Sequence, residues 1–494
     1  MTSSNLPTLR LGIIAASRNN FADELSLTSR AAITAAAVAR GLSATQCPTL
    51  VVTEQNAMDA LAEASAAGCE ALVVVLGNFG PETPETLSAK KFVGPVMYVA
   101  TSEENAGTLY AGRRDSYCGM LNCSYNLNLR NCTNYYLPPY PVGTPEEIAG
   151  MMERFYRVAT AAVALRSLKI LIFGPRPSDF FACNAPIKPL YDLGVEVQEN
   201  SEMDLLVTYK AHAGDVRIPT LAEQMRKEVG DKYPDTLLKM AQYELTLLDW
   251  IDAAKGASRY VALANKCWPA FQKEFGFLPC YVHSRLAAVG IPVGCETDVY
   301  GALSEYLGRC VSGRPTTILD INNNIPRDVF EAQLQGRYPY TERELFLGFH
   351  CGNTAGELLC SANLRYKMNR KDPYAPETGT EETRGTLEGP MKPGEVSCFR
   401  LHSTADGRLE AYIAKGEILP AELTTYGCWA LFGVPQMDRF YRHVLLEKQF
   451  PHHSAIVYGA HSAELYDLMQ LLGVPYIGYN HPRYDRYETE NPFG

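Results

Sequence analysis

ALVVVLG (Ala71–Gly77) and PVMYVAT (Pro95–Thr101) are continuous apolar runs without polar alternation. A strand with one face in water alternates, whereas a strand without alternation is covered on both faces, as in a parallel sheet between helices. Working outward, LRLGIIAA (Leu9–Ala16) and Thr49–Thr53 are further short runs. Helical stretches, Ala-rich Thr28–Gly41 and Ala57–Gly68, separate the runs. This alternation predicts a parallel α/β layer. Asn105–Pro141, polar and rich in Asn and Tyr, reads as a long functional loop.

The alternation resumes near Pro145. Glu146–Leu165 reads as a helix that passes almost directly into strand Leu168–Phe173 and the turn GPRPSDF (Gly174–Phe180). A long helix at about Tyr233–Gly256 precedes strand Arg259–Ala264, and the pattern continues through Gly290 and Pro315–Asp320. From about Gly352 the character changes. Lys367–Gly394 is polar and reads as a boundary or exposed loop. Val396–His402, Leu409–Ala414 and Thr425–Phe432 are short alternating runs that predict antiparallel strands and a small barrel. A helix–strand–helix–strand pattern over Met437–Tyr479 closes the chain. The expected fold class is α/β. Two parallel-sheet α/β domains, 1–165 and 166–350, would precede a C-terminal domain, 351–494, containing an antiparallel β-barrel. The central domain would carry the carboxylates discussed below.

Composition narrows the function. A chain of 494 residues suggests about three domains at roughly 100–200 residues each. Hydrophobic residues make up 46% and charged residues 20%, ordinary for a globular protein. With 45 Lys+Arg against 55 Asp+Glu, the net charge of −10 argues against a general nucleic-acid binder. No apolar run approaches the roughly 20 residues that span a bilayer, and MTSSNLPTLRLG lacks the apolar core of a signal peptide. The 14 cysteines are scattered singly with no CxxC pair, which suits small buried hydrophobes in a reducing compartment better than disulfides or zinc. The expectation is a cytoplasmic protein without nucleic-acid or membrane partners. GxGxxG is missing after the first strand, and the P-loop and GxSxG patterns are absent. Nucleotide chemistry and serine hydrolysis are therefore unsupported.

Three clusters could carry chemistry. Ile291–Cys295 reads as a buried strand, with Glu296 at its C-terminal end before a helix over Asp298–Arg309. Asp320 ends the apolar run Thr316–Leu319. Carboxylates at strand C-termini lie where α/β sheets hold ligands. Glu296 or Asp298 could instead cap the helix. The second cluster is Phe349-His350-Cys351-Gly352-Asn353, and the third is Pro451-His452-His453-Ser454 with His461 nearby. Two carboxylates with an imidazole suit an intermediate cation such as Mn²⁺. Trp268 could stack on a sugar face or simply be buried. Arg18, Arg114 and Arg176 follow strand-like runs and are where an anionic substrate group would be sought, although solvent-facing charge is the commoner role.

These residues resemble the L-fucose isomerase / L-arabinose isomerase superfamily, in particular its fucose isomerase-like branch. The resemblance rests on Cys267-Trp268-Pro269, the block from Gly290 through Cys295-Glu296-Thr297-Asp298 to Leu303, Asp320, His350-Cys351-Gly352-Asn353, Gly394 to Leu401, and His453 to Pro475. It covers about Gly256 to Asn480 well. The N-terminal half matches in pattern more than in motif. It implies an intramolecular oxidoreductase, an aldose–ketose isomerase that binds Mn²⁺ through Glu296, Asp320 and His453, with Mg²⁺ or Co²⁺ as substitutes and no nucleotide. Glu296 and Asp320 would also serve as the acid–base pair of a cis-enediol proton transfer. His350, Trp268, Arg18, Arg114 and Arg176 are the weaker substrate-binding candidates. The implied substrate is a free sugar of the L-fucose/D-arabinose kind; an anionic sugar such as sulfoquinovose is the main rival, and a non-catalytic sugar-binding module a further one. The implied assembly is a homohexamer. Two positions depart from the family pattern: Thr297 stands where Gly is frequent, and His452 where Asn is frequent.

Overall fold

Alternate residues of the N-terminal strands go to opposite sides of one sheet. Leu11, Ile13, Val73, Val75, Met97 and Val99 pack with Ile33, Ile148 and Phe155. Ile14, Ala16, Leu72, Val74, Leu76 and Tyr98 pack with Ala60, Ala64 and Leu127. Each aliphatic side chain buried this way contributes about 1.5–3 kcal/mol, and the period-2 partition explains why the runs read as apolar throughout. The computed structural model describes residues 5–369, 371, 372, 374, 375 and 378–493. Residues 1–4 of the N-terminal stretch, and residues 370, 373, 376 and 377 of the polar stretch Lys367–Gly394, lie outside them.

The described residues form two compact units, one within 7–164 with 467–473, the other within 5–6, 165–466 and 474–493. The first holds a parallel sheet in the order Ala44–Val51, Leu11–Ala16, Ala71–Leu76, Val96–Thr101, with Tyr135–Tyr136 and Val142–Gly143 both beside the last strand. The stretch expected to be a loop contains a helix, Ser116–Leu129. Asn and Tyr are indifferent helix formers and mask its pattern. Met120, Cys123 and Leu127 nevertheless recur at helical spacing and are buried. Tyr117, Leu121, Tyr125 and Leu129, each four residues apart, remain exposed.

The second unit contains a four-stranded parallel sheet, ordered Val293–Gly294, Tyr260–Ala264, Leu168–Gly174, Glu196–Ser201. It also contains a nine-stranded mixed sheet. The order there is Asn363–Tyr366, Arg384–Pro390, Cys428–Gly433, Leu345–His350, Thr317–Asn324, His453–Tyr458, Gly394–Ser403, Leu409–Leu419, Tyr476–Tyr479. Most neighbours are antiparallel, and Glu417–Leu419 pairs additionally with Leu431–Gly433. The architecture is thus mixed α/β. One expectation is corrected. Thr316–Asp320 does not end a strand of a parallel sheet: Thr317–Asn324 is antiparallel to both neighbours, and Asp320 sits inside it. The polar residues after Asp320 continue the strand because Asn323 and Asn324 still pair with Leu347 and Phe346. All 14 cysteines are free. No helix among the described residues is long and apolar enough to cross a membrane.

Candidate active site

Strand pairing sets Asp320 directly opposite His453 on one side and Phe349 on the other. His350, at the end of the strand Leu345–His350, lies with its ring 5.7 Å from that of His453. Glu296 reaches the same place from the parallel sheet, through a single 3₁₀ turn, Cys295–Thr297, after the two-residue strand Val293–Gly294. Glu296 and Thr297 have φ of 59° and 63°, in the left-handed region. That conformation is unfavourable for a non-glycine, most of all for a β-branched residue. It gives the physical sense of a frequent glycine at position 297. Bonds from Thr297 N to Asn265 O (3.0 Å) and from Asp298 N to Cys295 O (3.0 Å) hold the turn.

The three sequence clusters therefore meet. His453 is fully buried, and its Nε2 stands 3.3 Å from Glu296 Oε2 and 3.5 Å from Asp320 Oδ1. Neither contact has hydrogen-bond geometry: His453 Nε2 and Asp320 Oδ1 are buried polar atoms without a hydrogen-bond partner. Such orphaned atoms are costly unless something else satisfies them. The other ring nitrogen, Nδ1, is 2.8 Å from Asp298 Oδ2 and 3.7 Å from Cys183 Sγ. His452 Nε2 lies 3.7 Å from Asp320 Oδ1.

The charges are coupled. Burial opposes ionisation of Glu296, but His453, His350 and the Trp268 indole N–H outweigh it and hold the carboxyl down at about 2. Burial likewise opposes Asp298, which Arg400 and His453 nevertheless keep far below the carboxylate range. For His453 burial disfavours the charge, but Asp298, Cys183 and Glu296 raise it well above an ordinary imidazole. A site that pulls this strongly for positive charge at Nε2 suits a divalent cation there as well as a proton. Two carboxylates and one imidazole, with one atom of Asp320 and one of His453 left without a partner, form a donor set that fits such an ion.

Trp268 Nε1 donates to Glu296 Oε1 at 3.3 Å, and its ring meets Phe180 edge-on at 6.1 Å. This contact makes Trp268 a brace for the carboxylate. Phe180 and Cys183 come from the loop after strand Leu168–Gly174, the loop that also carries Arg176. Arg176 bonds Asn184 Oδ1 at 3.0 Å and lies over the Phe181 ring. Arg18 and Arg114 belong to the other unit. Arg114 is buried and donates to Leu25 O, Ser29 Oγ, Gly77 O and Glu104, which gives it a structural occupation. Arg18 stacks over Phe79 at 4.5 Å.

Sequence reasoning missed Asp298, Arg400 and Cys183 as members of this cluster. Asp298 does cap its helix, accepting from Gly301 N at 2.8 Å, so the cap reading was right but incomplete. Arg400 had a usable signal: an arginine inside the apolar strand stretch VSCFRLH (Val396–His402) needs a buried partner. Cys183 had none.

Residues 12–166 match the N-terminal domain of fucose/sulfoquinovose isomerases, and residues 348–480 the C-terminal domain of L-fucose isomerase. The chain belongs to the fucose isomerase-like branch of the L-fucose/L-arabinose isomerase superfamily and is an aldose–ketose isomerase. Among its relatives is the sulfoquinovose isomerase of Alkalicoccus urumqiensis, 26% identical over 345 residues, covering 68% of this chain and 70% of the relative. The sulfoquinovose isomerase of Priestia aryabhattai is 27% identical over 348 residues (67% and 69%). That of Clostridium sp. (strain MSTE9) is 29% identical over 291 residues (57% and 58%).

Proposed function

We propose that this enzyme interconverts sulfoquinovose, or a closely similar anionic aldose, with its ketose, using Mn²⁺ held by Glu296, Asp320 and His453. The observation that carries the reading is the convergence of two carboxylates on the orphaned His453 Nε2. The relatives' names support the anionic substrate over the neutral L-fucose/D-arabinose type. A divalent cation would supply Lewis-acid polarisation of the oxygens on the two reacting carbons. Glu296, kept ionised by its surroundings, and Asp320 move the proton between C1 and C2, each acting as base in one direction and acid in the other. Trp268 holds Glu296 in place for this transfer. His350 and His452 border the same space and are the candidates to contact sugar hydroxyls. Burial around His453 limits competing water.

The test is a panel of sulfoquinovose, L-fucose and D-arabinose with Mn²⁺, Mg²⁺ or Co²⁺ in D₂O. Turnover of sulfoquinovose with deuterium at C1 or C2 is expected. Turnover of only the neutral sugars moves the substrate to the L-fucose type. Turnover without exchange replaces proton transfer by hydride shift, and tight sugar binding without turnover under any metal overturns the isomerase chemistry.

The same reading includes a homo-oligomer, with the hexamer of the family resemblance as the expected form. The exposed stripe Tyr117, Leu121, Tyr125 and Leu129 supports it, because a row of large apolar side chains in water is what a subunit contact covers. Leu121→Asp with Tyr125→Asp should lower the mass seen by light scattering, and a wild-type monomer would remove the proposal. The fourteen free thiols support a cytoplasmic setting. The additional pairing of Glu417–Leu419 with Leu431–Gly433 supports reading six strands of the mixed sheet as the expected barrel.

A further inference from the structure

We propose that Asp298, locked by Arg400, is the positioning residue that makes His453 a ligand rather than a bystander. This inference rests on the reading of the cluster as a cation site. An imidazole can present a lone pair on only one nitrogen while the other carries hydrogen. Asp298 Oδ2, 2.8 Å from Nδ1, accepts a hydrogen bond from the N–H of that nitrogen and leaves the Nε2 lone pair directed at Glu296 and Asp320. Two carboxylates facing a lone pair repel it unless a cation lies among them.

The carboxylate of Asp298 cannot turn away. Its Oδ2 accepts from Arg400 Nη1 at 2.8 Å, and its Oδ1 from Arg400 Nη2 at 3.0 Å and from Gly301 N at 2.8 Å. Arg400 Nη1 also reaches the backbone oxygen of His453 at 3.3 Å, so one ion pair fixes both the ring and the main chain of the ligand. Arg400 and Asp298 have side-chain exposures of 0% and 2%. Burying such a pair gains little stability over an apolar replacement, so its retention calls for another role. The glycines around it point the same way. A Cβ at Gly301 would lie 2.5 Å from Asp298 Oδ2, and one at Gly294 would lie 2.2 Å from Asp298 O. Gly301 thus makes room for the carboxylate, and Gly294 for the main chain that carries it. Arg400 also balances charge: it neutralises Asp298, leaving Glu296 and Asp320 to match a divalent ion.

The test measures metal binding directly, apart from turnover. Mn²⁺ affinity by calorimetry and the visible spectrum of the Co²⁺-loaded protein would be compared for wild type, Asp298→Asn, and the double variant Asp298→Asn/Arg400→Met. The amide of Asp298→Asn can donate to Nδ1 and move the hydrogen to Nε2, so affinity should fall by about 10–100-fold with a changed Co²⁺ spectrum. The double variant removes the unpaired buried charge and decides the matter if the single variant does not fold. Wild-type affinity and spectrum in a folded variant would overturn the positioning role while leaving the site intact. A wild-type protein with no saturable divalent binding would overturn the site reading and this inference together.

Discussion

Among the described residues, two regions bring possible ligand atoms to metal-binding spacing: His453, with Cys183 and Glu296 on one side and with Asp320 and His452 on the other, and His212 with Asp215 and Asp249 on the surface of the same unit. They differ in where the arginine sits. Arg217 lies among the acids, 2.6 Å from Asp215 Oδ2 and 2.5 Å from Asp249 Oδ2. Hydrogen bonds to Arg217 hold Asp215 down at about 2, against a small effect of burial. His212 has Thr208 O and Asp249 on its two ring nitrogens. Every donor there already has a protein partner. Around His453 the arginine stands one layer back, on Asp298, and the inner atoms are left without partners. Donor spacing by itself is common, whereas buried donor atoms without protein partners are what a bound cation would satisfy. Glu85 is a third case. It is buried, and burial pushes its carboxyl up to about 8, with Glu82 adding to the rise and Cys123 and Arg18 only partly opposing it. A buried acid thus finds an opposite charge or takes up a proton.

The largest expected effect breaks the first cluster. Glu296→Gln and Asp320→Asn should each abolish stoichiometric metal in elemental analysis and lower isomerase turnover by about 10²–10⁴-fold, the scale of acid–base catalysis with its metal. Unchanged metal content in either variant would remove that residue from the ligand set.

The next concerns Glu85. Its folded value lies above the unfolded one, so both states are protonated below about 4.5 and stability is full there. Between about 4.5 and 8 only the unfolded state ionises, and stability falls with rising pH, by up to about 5 kcal/mol at linkage scale. Glu85→Gln should therefore melt close to wild type near pH 4.5 and increasingly above it toward pH 8. Parallel melting curves across that range would show that Glu85 is not a protonated acid.

The smallest effect sharpens the comparison from its other side. Arg217→Ala frees the carboxylates of Asp215 and Asp249 beside His212, and equilibrium dialysis with Mn²⁺ should detect a weak second equivalent that wild type lacks. Without such a gain, exposure to water rather than the arginine separates the two clusters.

Much of this protein was legible in one dimension. The N-terminal parallel sheet follows from uninterrupted apolar runs, because a strand covered on both faces leaves no alternation to misread. Glu296, Asp320, His350 and His453 were singled out because chemistry restricts which side chains bind cations and move protons. The helix Ser116–Leu129 was hidden because Asn and Tyr blur a pattern carried by three buried residues. Pairing was hidden altogether. That Asp320 faces His453 depends on two antiparallel strands more than 120 residues apart in sequence, and nothing local encodes that register. Whether Asp298 merely caps a helix or also orients a ligand depends on Arg400 arriving from a distant strand. The sequence by itself determined the kinds of groups available and the layers they fold into, since composition and periodicity act locally. Only the tertiary structure decided which acids meet which histidine and which nitrogen is left without a partner, because those are properties of contacts between segments far apart in the chain.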